Sequence, residues 1–535
     1  MATDVSPDPR PASPPRSESG PRRPSAPLLG ALAAIVAAVA LVGASIWIVT
    51  SSGGGSASPS AASSSGPSSV AVAPSTPVDP GTSGSGQVPS AVPSSAPVSS
   101  AVPGEPIASS GSIAVVGTDG SLWLVDAAGN PTALLPADAI LTGFPAWSPD
   151  GTHLAAVRIA PTGNEILVFD AAGAAAGRSA KPVTILHSTT IGPFYLAWTP
   201  DGREISFLAD ESTGLSLRIA PADGSAPLDG SGAGATIRSG NPFYFDWLEP
   251  ARLIAHIGTG PGAFLGELGR DGAVASPAVT SPGDFRAPIV NRDGTLVSYV
   301  RTESSGAETV VVAGRNGSGA HSMPVFGTAA VAFDPAGTIV ASIGPTEPDM
   351  TAYTIPIGPL RALDAKTGKV RTLLDGTLVG FWWSPDGKTI AGLRVQPVGG
   401  AAAPSANPGS SAAPPETEIR LLFVDVATGK VQSEAVVNPA RLFIDQVLTY
   451  FDQYSLSHRL WAPDSSSILL PVIDEAGTTR IAVMPRAGGP PRMIDGALGF
   501  WSPWRQRLLR LVGALGLVLL RLLRGLGLLV HCRSS

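Results

Sequence analysis

With 44% hydrophobic and 14% charged side chains, a chain of 535 residues can bury a large core, but 62 glycines, 53 prolines and long Ser/Ala runs exclude packing along its whole length. A net charge of −6, with no basic stripe interleaved with aromatics before the extreme C-terminus, argues against nucleic acid as a partner. The single cysteine, Cys532, excludes an internal disulfide and a cysteine-based zinc site, and its position excludes an N-terminal lipidated cysteine.

Residues 1–26 carry Arg10, Arg16, Arg22 and Arg23 among Pro and Ser with no apolar period, and read as a disordered tail. Residues 27–50 read as a membrane-spanning helix. The run Leu28–Thr50 is free of charge, and at about 1.5 Å per residue it reaches about 34 Å, against roughly 30 Å of hydrocarbon. Trp47 suits the interfacial belt. Four arginines precede the span and no Lys or Arg follows until Arg158, which puts the N-terminus in the cytoplasm and the rest outside. A cleaved secretory signal is the competing reading, but its apolar region would be about 7–15 residues, shorter than this one. Arg22-Arg23 lack the remainder of a twin-arginine export signal and read as simple topogenic charge. Residues 51–110, almost wholly Ser, Pro, Ala, Gly and Val, read as a linker, a stalk of roughly 40 Å r.m.s. span if it is a flexible coil.

Residues 111–503 form the folded head. Ile113–Val116, Leu122–Val125 and Thr132–Leu135 are three short strands separated by Gly/Asp turns, followed by Ala146-Trp147-Ser148-Pro149-Asp150-Gly151. The unit returns as Ala197-Trp198-Thr199-Pro200-Asp201-Gly202 and as Trp383-Ser384-Pro385-Asp386-Gly387. Pro after Ser or Thr presets φ for a tight turn, Asp bonds back to nearby amides, and Gly supplies the permissive φ that closes it. Each copy runs into a period-two segment such as His153–Arg158 or Glu204–Leu208. The Trp position recurs at Trp147, Trp198, Trp247, Val290, Phe333, Trp383, Trp461 and Trp501, with spacings of 51, 49, 43, 43, 50, 78 and 40. Six of the ten tryptophans sit on this register, which chance placement would hardly produce. Weaker copies of the turn stand at Asn291–Gly294, Asp334–Gly337 and Ala462–Ser465.

A period of about 40–50 residues with four strands per unit predicts an all-β propeller. The N-terminal part of the head supplies three strands without an inner one, and Leu498–Trp501 supplies an inner strand without followers, so the two ends complete one blade and remove the seam. Inner strands then number eight, or seven if one weak copy is not a blade.

These Trp-Ser-Pro-Asp-Gly turns with their following apolar strands resemble the repeats of the Tol-Pal periplasmic propeller family (TolB-like, with WD-like repeats), which also occur in the propellers of prolyl oligopeptidase-like enzymes. The resemblance covers about Ser112 to Pro503 and implies a fold that hosts many functions. The N-terminal domain of the Tol-Pal protein has no counterpart here, and the blade count exceeds its six.

All Ser-Pro-Asp-Gly corners belong on one face of the disc. The opposite face receives the irregular insertions: Pro345–Gly358 with Asp349 and Tyr353, the Pro/Ala/Ser-rich Pro397–Pro415, and the connection Asn438–Arg459. Long loops on a rigid scaffold concentrate binding residues. This makes Tyr353, Phe443, Tyr450, Phe451, Asp452 and Tyr454 the candidate partner-binding face, with Asp445 and His458 alongside. The alternative for Tyr450, Phe451 and Tyr454 is packing of the loop onto its own blade, and for Pro397–Pro415 a disordered excursion.

The six histidines show no metal-ligand spacing, and His153 beside a corner reads as solvated. No Gly-x-Ser-x-Gly elbow and no following hydrolase domain accompany the propeller. Each corner Asp is accounted for by its turn, so neither metal nor cofactor is expected. In residues 504–535, Arg507, Arg510, Arg521 and Arg524 fall within an arc of about 100° on a helix. The segment reads either as an interfacial amphipathic helix or as an unselected translation past the last blade. The expected function is a membrane-tethered extracytoplasmic scaffold or sensor that binds another cell-envelope protein. The alternative is a lactonase- or glycan-acting hydrolase with acidic residues around the central channel.

Overall fold

The computed structural model describes residues 107–108, 111–137, 141–178, 181–225, 235–276, 279, 281–347, 355–398 and 416–503. The expected cytoplasmic tail, membrane span, nearly all of the stalk and the basic C-terminal tail lie outside them, as do Asp349, Tyr353 and most of Pro397–Pro415. Among the described residues no helix is long and apolar enough to cross a membrane. The head extends slightly further toward the stalk than expected: Ile107 and Ala108 are buried in one cluster with Trp123 and Val125.

The strands pair antiparallel in sequence order. Three sheets of four begin at Leu141–Trp147, Gly192–Trp198 and Ile289–Val290, and a three-stranded sheet at Phe243–Glu249 gains an outer bridge from Leu268 to Val274. A seven-stranded sheet holds two further units that share the 14-residue strand Val370–Trp383. Its first part pairs with Gly358–Asp364, and Thr377–Trp383 pairs with Thr389–Pro397. The sheet beginning at Ser467–Ile473 gets its inner edge from Trp461, bridged to Ile468. The last unit is the shared one: Leu498–Trp501 pairs with Ser112–Val116, which leads into Leu122–Asp126 and Pro131–Leu135. Eight four-strand units result, numbered below from this shared blade 1 through blades 2 to 8 in chain order.

The repeated residues explain both the turns and the ring. Ser148 Oγ, Thr199 Oγ1 and Ser384 Oγ donate to the Asp two positions on, at 2.8, 2.7 and 2.6 Å. The same Asp oxygens accept the amides of Thr152, Arg203 and Lys388. Gly151, Gly202 and Gly387 close these corners at φ of 68°, 71° and 68°, where a side chain would be strained. Partial burial opposes ionisation of Asp150, Asp201 and Asp386, but the hydroxyl and amide donors, joined at Asp386 by the Arg486 guanidinium, outweigh it and hold the carboxyls below their usual range.

The register tryptophans join neighbouring blades. Trp147 Nε1 donates to Phe500 O at 3.0 Å, Trp198 Nε1 to Ala146 O at 2.9 Å, Trp383 Nε1 to Ala332 O at 3.3 Å and Trp461 Nε1 to Trp382 O at 3.0 Å. In each case the acceptor is the residue just before the register position of the preceding blade. Trp247 uses a relay instead: its Nε1 donates to Ser206 Oγ, which donates to Ala197 O. Ser298 occupies the matching place in blade 5 and its buried hydroxyl has no partner, because Phe333 brings no indole N–H to it. The ring closes through Trp147 onto blade 1 and through Trp501 N donating to Arg459 O of blade 8.

Candidate functional site

The connection from blade 7 to blade 8, Asn438–Arg459, crosses the top of the ring and enters its axis. Short helical turns at Arg441–Phe443, Ile444–Leu448 and Phe451–Tyr454 carry it. Phe443 and Phe451 pack against Trp382 of blade 7, and Phe451 also meets Phe381 edge-on at 5.5 Å. Tyr454 lies 5.3 Å from Tyr195 of blade 3 and 6.4 Å from Phe144 of blade 2, and His458 is 4.8 Å from Phe500 of blade 1. Gln453 clamps blade 4. Its Oε1 accepts Phe245 N at 2.9 Å, and its Nε2 donates to Phe245 O at 2.8 Å and to Tyr195 Oη at 2.5 Å. The Tyr195 hydroxyl in turn donates to Gln453 O at 2.8 Å. Asp452 holds blade 5, accepting Ala287 N at 3.1 Å and pairing with the buried Arg286 at 3.6 Å.

Several of the ring residues that meet this plug share one register position, three before the tryptophan or its equivalent: Phe144, Tyr195, Tyr244, Ala287 and Gly380. At Phe144 and Tyr195 the inner strands slip register and φ turns to 52° and 45°. An aromatic residue in the left-handed region is strained and persists only where its surroundings dictate it. Here the bulge turns both rings onto Tyr454.

The candidate partner-binding face is thereby corrected. Phe443, Phe451, Asp452 and Tyr454 are 0%, 1%, 1% and 6% exposed and bind the ring, so a partner cannot touch them while the plug is in place. Tyr450 is 42% exposed, next to Tyr244 on the outer side of the plug, and Leu442 is 37% exposed. Tyr353 lies outside the described residues. His153 is exposed and shares a 2.8 Å contact with Thr152 Oγ1. No group of three or more His, Cys, Asp or Glu among the described residues is arranged to hold a metal ion.

Sequence reasoning also missed a cavity of about 170 Å³ between the inner strands of blades 2 to 4 and the end of the plug. Pro149 and Pro200 of the corners line it, so it faces the corner side rather than the side of the insertions. Tyr195, Asp246, Ser457 and Arg459 supply its polar wall. Asp246 accepts Val290 N at 2.9 Å, and burial pushes its carboxyl up to about 7 despite that bond. Arg459 is exposed to solvent where it lines the cavity. Burial draws its guanidinium below the usual range.

Sheet order, closure and interblade indole bonds define the molecule as an all-β propeller. No family model and no curated protein matches the chain. Among solved structures it is similar to a chain from the crystal structure of the eukaryotic initiation factor, with 13% identity and TM-score 0.44 over 74% of this chain and 99% of that one. TolB from Acinetobacter baumannii is 18% identical at TM-score 0.32 over 49% and 63%. Dihydro-heme d1 dehydrogenase NirN is 15% identical at TM-score 0.44 over 76% and 79%. At these identities the likeness concerns fold, and the assignment rests on the geometry above.

Proposed function

We propose that the protein is a membrane-tethered extracytoplasmic propeller that works by binding, as a scaffold or sensor for another protein of the cell envelope. The observation that carries this reading is the plugged axis: Asn438–Arg459 fills the channel mouth with side chains committed to the ring, and leaves Tyr450 and Leu442 facing outward on a rigid base. Exposed aromatic and aliphatic side chains on a base that need not reorganise suit protein recognition. The charge-free run Leu28–Thr50 and the Ser/Pro-rich linker after it support the tether.

Two measurements test it. In a Cys532→Ser background, a cysteine introduced at the exposed Asp223 should react with a membrane-impermeant maleimide in intact cells; labelling only after lysis would overturn the topology. A photo-crosslinker placed at Leu442 should capture a defined envelope protein, and Tyr450→Ala should abolish that adduct with the melting temperature unchanged. An adduct indifferent to Tyr450→Ala removes this face from the proposal.

A further inference from the structure

We propose that the cavity on the corner side is a binding site for a small organic carboxylate that carries a hydrogen-bond donor beside its carboxylate, a hydroxy- or amino-acid, with Arg459 as its counter-charge. This goes beyond protein binding at the plug's outer face and does not rest on it.

The first argument is the state of Arg459. Several arginines around the ring are matched, Arg286 with Asp452, Arg158 with Glu165, Arg218 with Glu211 and Arg315 with Glu267, while Arg361 is unpaired but buried away from the cavity. Arg459 lines the cavity with its side chain exposed to solvent, and it forms no ion pair or hydrogen bond with that side chain among the described residues. A guanidinium offers five donors in a planar fork that matches a carboxylate two-point. An anion bound there supplies the counter-charge that the fold leaves out.

The second argument is Asp246 in the same wall. It accepts the backbone amides of Val290 and Trp247, and no cation among the described residues neutralises it. Its carboxyl titrates near neutrality, so it can accept from an amino or hydroxyl group, and gains when that group is cationic. The cavity therefore offers an anion-binding pole and a donor-accepting pole within one space. Ala197 supplies an apolar patch between the corner prolines and the plug. About 170 Å³ holds several waters, which fits a solute of lactate to glutamate size and is too small for a folded segment of protein.

The walls also furnish the assay, since Trp147, Trp198 and Trp247 line the cavity and fluoresce. Full-length protein in detergent would be titrated with glycolate, lactate and glutamate, with propionate and inorganic phosphate as controls, following tryptophan emission and heat. The expected result is one saturable site in the millimolar range or tighter for at least one of the three, several-fold weaker binding of propionate, and at least a tenfold loss in Arg459→Gln. Arg459→Lys, which keeps the charge and loses the fork, should retain part of the affinity, and circular dichroism melts establish that both variants are folded. Asp246→Asn should narrow the gap between lactate and propionate. No binding of all three probes, binding that survives Arg459→Gln, or phosphate equal to the best organic acid would each overturn the proposal. Because the photo-crosslinking at Leu442 reads the other face, a head that binds lactate but no protein, or the reverse, separates the two ideas.

Discussion

The corner face and the plug are built on opposite principles. The corners are built locally: a hydroxyl, a carboxylate and a few amides within six residues satisfy one another, the same solution is repeated around the ring, and only at Asp386 of the three full copies do Arg486 and Ser465 add distant bonds. The plug is anchored non-locally, since Asp452, Gln453 and Tyr454 reach residues between 165 and 310 positions away. A local device can fail in one copy without consequence for the others. A plug fails as a unit, because its side chains are held by all sides of the ring at once, and it should therefore be the most sensitive part of the head.

The largest expected effect follows directly. Phe451→Ala removes a ring that is 1% exposed and wedged against Phe381 and Trp382. A truncation of this kind costs about 3–5 kcal/mol, to be measured by denaturant unfolding of the full chain. Corner substitution Asp150→Asn should cost far less, because its hydroxyl and amide bonds are half solvated. Equal losses at the two sites would remove the distinction between them.

Gln453→Ala should rank next. It strands Phe245 N and Phe245 O in a buried setting, at about 1–3 kcal/mol for each group left unsatisfied, while the Tyr195 hydroxyl keeps its bond to the backbone carbonyl of residue 453. The total should stay below the sum because waters can enter from the adjacent cavity. Gln453→Glu is the sharper probe, since it keeps the acceptor for Phe245 N and loses the donor to Phe245 O. It should be destabilised more at pH 8 than at pH 5.

Acid should attack the plug before the corners. Burial draws His458 down to about 3 and His256 down to about 4, from 6.5 in an unfolded chain. The unfolded chain gains protons below pH about 6.5 while these imidazoles stay neutral, so their contribution is complete above 6.5 and is lost as pH falls from there toward 4 and 3. Asp246 acts oppositely: a carboxyl raised to about 7 destabilises increasingly between about 4 and 7, and acidification relieves that cost. Melting temperature should therefore fall between pH 7 and 5 less steeply in His458→Gln than in the wild type, and more steeply in Asp246→Asn. An unchanged slope in both variants would place acid sensitivity elsewhere.

How far these features were legible in the residues follows the same division. Blade number, register and closure are readable because Trp147, Trp198 and Trp383 recur beside a turn whose chemistry is contained in five residues. The destination of Phe443–Tyr454 is not, because a segment rich in Tyr, Phe, Asp and Gln has the composition of a contact surface and of a plug alike. Only the diameter of the ring decides between them. Asp452 and Gln453 look like surface residues, yet both are 1% exposed, because the amides they satisfy belong to strands far away in sequence. The cavity was hidden for a similar reason: Arg459 follows a loop and precedes a strand, and only assembly of the blades brings Tyr195 and Asp246 into the same wall.

The smallest effect tests whether the repeated tryptophans are equivalent. Trp198→Phe removes the bond from Nε1 to Ala146 O, worth about 0.5–1.5 kcal/mol, in addition to lost packing. Trp501 is 0% exposed, but its Nε1 has no partner, since blade 8 turns Leu460 O toward Leu469 N instead. Trp501→Phe should therefore cost about 1 kcal/mol less than Trp198→Phe, the removal of an orphaned donor offsetting part of the packing loss. Equal costs would mean that the indoles serve by volume alone. A clear difference would show that the bond to the preceding blade contributes at each copy where it forms, and that the junction of blades 8 and 1, where the two ends of the head meet, does without it.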